Sequence, residues 1–204
     1  MIDTLNRSLR RVPAWLIYVG GAAYAAWLFY LGLTGGLGVE PINALERAYG
    51  EVGLYLIVAG LAVTPLRKYA GVNLIKFRRA IGVTAFFFVL AHFLVWAVLD
   101  VQSVARIWAD IVKRPYVTVG MAAFVLMIPL AVTSNNLSIR KMGAAFWRSL
   151  HKLTYPIAVL AALHYLWLVK GFQLKPILFL GVILALLVAR MSFKTQKSVA
   201  ASRA

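Results

Sequence analysis

Six apolar runs, separated by short polar or turn-rich stretches, make up most of the chain; they cover about residues 14–33, 52–66, 80–99, 117–133, 150–169 and 176–191. A membrane-spanning helix needs about 20 predominantly apolar residues, so the pattern predicts an all-α integral membrane bundle of six helices in a single domain, 1–204. The punctuation agrees. Pro13 opens the first run, the cluster Gly35, Gly36 and Gly38 closes it, and Pro65 ends the second. Pro129 falls inside the fourth, where neighbouring helices can satisfy the carbonyl it frees. Residues 34–51 read as a turn-rich loop, 134–149 as a polar loop, and 100–116, with Trp108, as a loop with the makings of an interfacial helix.

Composition and charge sharpen this picture. The chain is 62% hydrophobic and 14% charged, against about 25% charged in soluble domains. Its net charge of +16 does not point to nucleic acid, because the basic residues sit between apolar runs and not along a soluble face. Of the 22 Lys and Arg, 16 fall on one side of the predicted bundle: three before the first run, five from Arg67 to Arg79, four from Arg140 to Lys152 and four from Arg190 onward. Five of the six acidic residues fall on the other. By the positive-inside rule both termini lie in the cytoplasm of a bacterial inner membrane, and spans three and five run outward in parallel. The N-terminal arginines followed by an apolar run imitate a secretory signal, but the run continues through Leu33 and reads as an uncleaved first span. With no cysteine, disulfides, thiolate ligands, iron–sulfur clusters and covalently attached haem are excluded.

All three histidines lie in or at the edge of two apolar runs: His92 in 80–99, His151 and His164 in 150–169. An ionisable side chain at membrane depth is a functional hypothesis by default. His92 is seven residues before Leu99 and His164 six before Lys170, so each sits about 10 Å below the outer end of its helix. Two parallel helices with imidazoles at one depth can fill both axial positions of a haem iron, so His92 and His164 are the candidate ligands. The bland alternative is two polar side chains hydrogen-bonded to neighbouring helices. His151 precedes His164 by thirteen residues, which on a straight helix turns the two some ~140° apart and about 19 to 20 Å along the axis. Pro156 lies between them and can kink the helix. The residue opposite His151 on span three is Arg79, not a histidine, so His151 is left to ligate a second haem from one side, to contact a flavin or quinone, or to lie among headgroups. Arg67, Arg78 and Arg79 read as topology anchors, or as forks for haem propionates or a flavin phosphate.

The segments GLGVEPINALERAYG, LAVTPLRKYAG, RRAIG, AHF around His92, KRPYVTVG and WRSLHKLTYPIAVLAALHYLW, in this order and spacing, resemble the ferric-reductase-like transmembrane family. Within it they are most similar to the haem-binding membrane subunits of bacterial protein-methionine-sulfoxide reductase systems, over about residues 10–190. The resemblance implies a haem b protein that takes electrons from the quinone pool or a cytosolic flavin reductase. It passes them to a periplasmic molybdopterin-containing reductase, MsrP, which repairs oxidised methionine. It matches His92, His151 and His164 to the family's three histidines. It also implies FMN, for which no phosphate-cradling glycine loop is present. Relatives with four histidines hold two haems; here Arg79 stands in place of the fourth. The reading is an electron-transfer subunit with no catalytic residue of its own, in contact with membrane lipid. The alternatives are a cytochrome b subunit of another dehydrogenase and a small transporter, the latter disfavoured because the acids are assigned to loops or their edges and to the N-terminal tail.

Overall fold

The computed structural model describes residues 2–169 and 171–191. Lys170, expected at the outer end of its span, and the basic tail 192–204, expected on the cytoplasmic side, lie outside the described residues. The helices are α1 (Ile2–Arg11), α2 (Trp15–Leu33), α3 (Pro41–Tyr69), α4 (Arg78–Leu94), α5 (Val104–Lys113), α6 (Pro115–Val132), α7 (Asn136–Met142), α8 (Ala144–Leu150), α9 (Thr154–Leu168) and α10 (Leu174–Arg190). Tight turns at Ile75–Phe77 and His151–Leu153 lead into α4 and α9, and a wide π turn, Val95–Val101, extends α4. Among the described residues four segments are long and apolar enough to cross a membrane: α2, α3, Ile75–Val101 and α6. The last two predicted spans are α9, of 15 residues, and α10, of 17.

The largest departure from the sequence reading is α3. Residues 41–51 are not a loop but the first three turns of a helix of 29 residues, about 43 Å long against a bilayer core of about 30 Å. Pro41 sits at the first helical position, where its missing N–H costs nothing. Gly50, in the stretch read as a turn-rich loop, lies inside the helix with Gly53, and α4 crosses there: a Cβ on Gly53 would stand 2.9 Å from Val89 Cγ2. Pro65 likewise lies within the helix and does not end it. Glu46 and Glu51 are therefore helical residues; Glu51 pairs with Lys175 and accepts from the Tyr165 hydroxyl at 3.3 Å. The glycines after α2 behave as read: α2 stops at Leu33, and Gly35 and Gly38 take φ of +79° and +88°. Residues 134–149 fold as α7 and α8, hinged at Gly143. The stretch around Trp108 is helical, as α5.

Two helix pairs make the core. α3 packs along α4, α6 packs along α9, α4 touches α6, and α10 lies across α3 and α9; α2 flanks α3 and α4 from outside. Leu54, Ile57 and Leu61 of α3 meet Ile157, Ala158 and Ala162 of α9 and Phe179 and Ile183 of α10. Ala158 and Ala162, one turn apart and fully enclosed, let neighbouring backbones come close, which is how helices associate where lipid removes the hydrophobic drive.

Arg190, which the sequence places only as a tail charge, holds the break made by Pro65. Proline removes the N–H that would bond the carbonyl four residues back, Leu61. Arg190 Nε and Nη2 donate to that oxygen at 2.9 and 2.7 Å, Nη2 also donates to Gly60 O at 3.1 Å, and the guanidinium lies over the Tyr155 ring. We expect Arg190→Met to cost about 2 kcal/mol in thermal unfolding in detergent, the desolvation cost of an orphaned buried acceptor. In a Pro65→Ala background, where the helix recovers its own N–H, the same substitution should cost less than half as much. Equal costs in the two backgrounds would refute the capping role.

Candidate functional site

The centre of the bundle brings His92 of α4 and His164 of α9 together, with ring centroids 6.2 Å apart and planes at 72°. α3 and α6 each contact both α4 and α9, and the two imidazoles that the spacing put at one depth lie side by side. Each imidazole is fixed in the same way. His92 Nδ1 lies 2.9 Å from Glu46 O and His164 Nδ1 lies 2.7 Å from Tyr116 O. A carbonyl oxygen only accepts, so Nδ1 is the protonated nitrogen in both rings and each Nε2 keeps a bare lone pair. This is the outer-shell arrangement that orients metal-binding histidines and raises their basicity.

The backbone was shaped to allow it. A Cβ on Gly50 of α3 would stand 3.1 Å from His92 Nδ1, and one on Gly120 of α6 would stand 2.7 Å from His164 Nδ1. A side chain at Gly120 would force the His164 ring to move, and one at Gly50 would press on the His92 ring. Directly after His92 the helix widens into the π turn, where the Val95 N–H is shared between Ala91 O and His92 O; such turns concentrate at functional sites. Phe93 and Phe86 of α4 stack on Phe124 of α6 at 5.1 and 6.0 Å, walling one side with apolar rings.

Two imidazoles do not hold a bare metal ion, which needs three or four protein ligands, and no group of three His, Asp or Glu able to hold one occurs among the described residues. Two facing lone pairs suit an iron whose other four positions belong to a macrocycle. Both histidines keep partial exposure. The residues present fit a haem.

His151 stands apart. It begins the tight turn before α9, with its ring stacked on Trp147 at 3.9 Å and its Nε2 3.1 Å from Thr133 Oγ1. Thr133 Oγ1 already lies 2.6 Å from Pro129 O, to which it donates, and Trp147 Nε1 donates to Thr133 O at 2.8 Å. The hydroxyl proton being used, Thr133 accepts from His151 Nε2–H, and the free lone pair of this ring is on Nδ1. Pro156 does not kink the helix between the two histidines: α9 starts at Thr154, so the proline falls in its first turn and the tight turn breaks the straight-helix phase instead. Burial, and then the charges of Arg78 and Arg79, push the His151 imidazole below its usual range. Arg78 and Arg79 are exposed at the start of α4, and Arg78 is close enough to Arg190 for the two to repel.

This end of the bundle also gathers α1, whose Asn6 clasps the α3–α4 loop by donating to Gly71 O at 3.0 Å and accepting from Asn73 N–H at 2.9 Å, with Lys76 Nζ on Arg10 O at 2.7 Å. Tyr69 at the end of α3 donates to Ala189 O of α10 at 3.1 Å. The basic segments that the sequence assigned to one side therefore meet.

Comparison with known proteins decides the family. The ferric reductase like transmembrane component family matches residues 48–162, a stretch that holds His92 and His151 and stops two residues before His164. Proteins named protein-methionine-sulfoxide reductase heme-binding subunit MsrQ in Brucella ovis, Brucella canis and Brucella suis are each 42% identical to the chain over 179 residues, 87% of this chain and 81% of theirs. The chain belongs to the MsrQ family of ferric-reductase-like transmembrane proteins. No solved structure matches it. The pairing of His92 with His164 thus sits in an MsrQ-like chain, and the carbonyls of Glu46 and Tyr116 and the glycines 50 and 120 join it as residues that sequence reasoning did not single out.

Proposed function

We propose that this protein is the haem b subunit of a methionine-sulfoxide reductase system and carries electrons across the inner membrane. It takes them from the quinone pool or a cytosolic flavin reductase and gives them to the periplasmic molybdenum-dependent reductase MsrP. One observation carries the reading: two imidazoles at one depth, each with Nδ1 tied to a main-chain carbonyl and Nε2 left bare. His92 and His164 are the residues that would hold the haem iron. When bound, haem supplies a one-electron carrier within an apolar bundle. The chain's own residues orient the imidazoles, through Glu46 O and Tyr116 O, and exclude water with Phe86, Phe93 and Phe124. The bundle has six spans, α9 and α10 completing the four longer ones, with both termini cytoplasmic. Arg78, Arg79 and His151 form the cytoplasmic entry, where a second haem or FMN would be met by guanidinium forks.

The decisive experiment reduces the purified haem protein anaerobically and adds MsrP with methionine sulfoxide. Oxidation of the haem only when both are present is the expected result. Oxidation by neither, or equally by a periplasmic reductase of unrelated substrate, overturns the assignment.

A finer check concerns Gly120. We expect Gly120→Ala to lower haem affinity about tenfold or more, as loss of an outer-shell partner does, because the added methyl forces His164 off Tyr116 O. Gly82→Ala, on a helix face with nothing within 4 Å of the new methyl, should leave haem content unchanged. Equal haem content in the two variants would refute the role given to Gly120.

A further inference from the structure

Helix α1 has no buried residue, although it is fastened to the body of the protein. Asn6 clasps the α3–α4 loop at Gly71 and Asn73, and Lys76 of that loop donates to Arg10 O. At about 3.6 residues per turn, Ile2, Leu5 and Leu9 fall within an arc of about 60°, and Arg7, Arg10 and Arg11 occupy a separate arc of about 100°. The clasp does not use up the apolar side: Ile2 and Leu5 remain 47% and 46% exposed.

Position and charge select what covers this face. α1 ends at Arg11 and α2 begins at Trp15, so the helix sits at the end of a segment long and apolar enough to cross a membrane. All three arginines are exposed, and no acid pairs with them among the described residues. Exposed Arg67, Lys68 and Lys76, at the end of α3 and in the clasped loop, extend the positive surface. An apolar stripe with a basic opposite face is the composition of a helix that lies in the membrane interface. Each Lys or Arg at an anionic leaflet strengthens binding about fivefold, and arginine stems are long enough to run along apolar surface while the guanidinium stays among headgroups. Helix α5 is the contrast. Its Val104, Trp108 and Val112 are exposed too, but Arg106 and Lys113 are accompanied by Asp110 and its neighbour Asp100, so nothing there favours an anionic surface.

We infer that α1 is a docking surface for anionic phospholipid. It lies flat on the leaflet beside it, with Ile2, Leu5 and Leu9 toward the acyl chains and Arg7, Arg10 and Arg11 on headgroup phosphates. Through the Asn6 clasp it sets the height of the loop that leads to Arg78 and Arg79. The inference rests on the membrane-spanning reading of the bundle.

The chain has no cysteine, so single spin labels can be placed in the full-length haem protein in lipid nanodiscs. Labels at Leu5→Cys, at Thr4→Cys on the polar side of α1, and at Val19→Cys on the exposed side of α2 are read for collisions with oxygen, which concentrates in lipid, and with a water-soluble nickel chelate. In discs containing phosphatidylglycerol, the labels at Leu5 and Val19 should meet oxygen and the label at Thr4 nickel. In pure phosphatidylcholine the Leu5 label should turn toward nickel, and amide exchange in α1 should be about tenfold or more faster. Arg7→Gln, Arg10→Gln and Arg11→Gln together should produce the same change in phosphatidylglycerol, with haem absorption unchanged. A Leu5 label that meets nickel in phosphatidylglycerol overturns the docking surface and leaves the face to a protein partner. Oxygen contact and exchange indifferent to both lipid and arginines overturn the choice of an anionic lipid. Water contact at Leu5 with lipid contact at Val19 removes the docking surface alone, whereas water contact at both removes the spanning reading as well.

Discussion

His92→Ala and His164→Ala should each yield a folded, membrane-inserted protein with essentially no low-spin haem. The two rings come together from α4 and α9, each of which contacts both α3 and α6. Removing one imidazole removes an axial bond and leaves the remaining Nε2 with no opposing donor, since no third His, Asp or Glu completes a metal-binding group with them among the described residues. The loss should exceed that of Gly120→Ala, which only misorients a ring that is still present. Haem-to-protein ratio and the reduced-minus-oxidised spectrum of each purified variant decide it. A full complement of low-spin haem in both single variants would sink the pairing.

The depth of that pair was legible because a helix in a membrane has a ruler built into it: 1.5 Å per residue from a chargeable end fixes height, and His92 and His164 differ by only one residue in that measure. What fixes the rings was not. Glu46 and Tyr116 act through main-chain oxygens, which every residue has, so no side-chain pattern marks them. Gly50, in a segment rich in Gly, Pro and charge, looks like a turn residue when read locally. Whether a glycine bends a chain or makes room for another helix depends on what crosses it, and that is non-local. The same holds for Arg190, whose partner is a carbonyl freed by a proline 125 positions earlier. The pattern of apolar runs found the helices, as it should where length and hydropathy decide the outcome, and missed the start of α3 because Pro41 at a first helical turn and proline in a loop read alike. His151 shows a different failure. Its phase relative to His164 was drawn on a straight helix, whereas a tight turn at His151–Leu153 separates it from α9.

His151→Ala should leave the haem between His92 and His164 spectroscopically intact and stop its reduction by a cytoplasmic donor. His151 lies thirteen residues before His164, about 20 Å if the rise were helical throughout, and that gap is most of a bilayer core of about 30 Å. An electron entering at the basic end needs a carrier there. His151 is held in place at that end: Trp147 stacks on it, Thr133 takes its Nε2–H, and the ring lies where the charges of Arg78 and Arg79 are felt. Those guanidinium groups have no acid partner among the described contacts and would meet propionates or a phosphate. The rival explanation is that His151 only ties α8 to the end of α6 through Thr133. His151→Gln separates the two, because its amide can still donate to Thr133 while offering no imidazole lone pair. The expected result is that both variants take up electrons from dithionite at the wild-type rate, and neither does so from the flavin reductase. Recovery of flavin-dependent reduction in His151→Gln would make the residue a tether, and wild-type rates in His151→Ala would remove it from the electron path altogether.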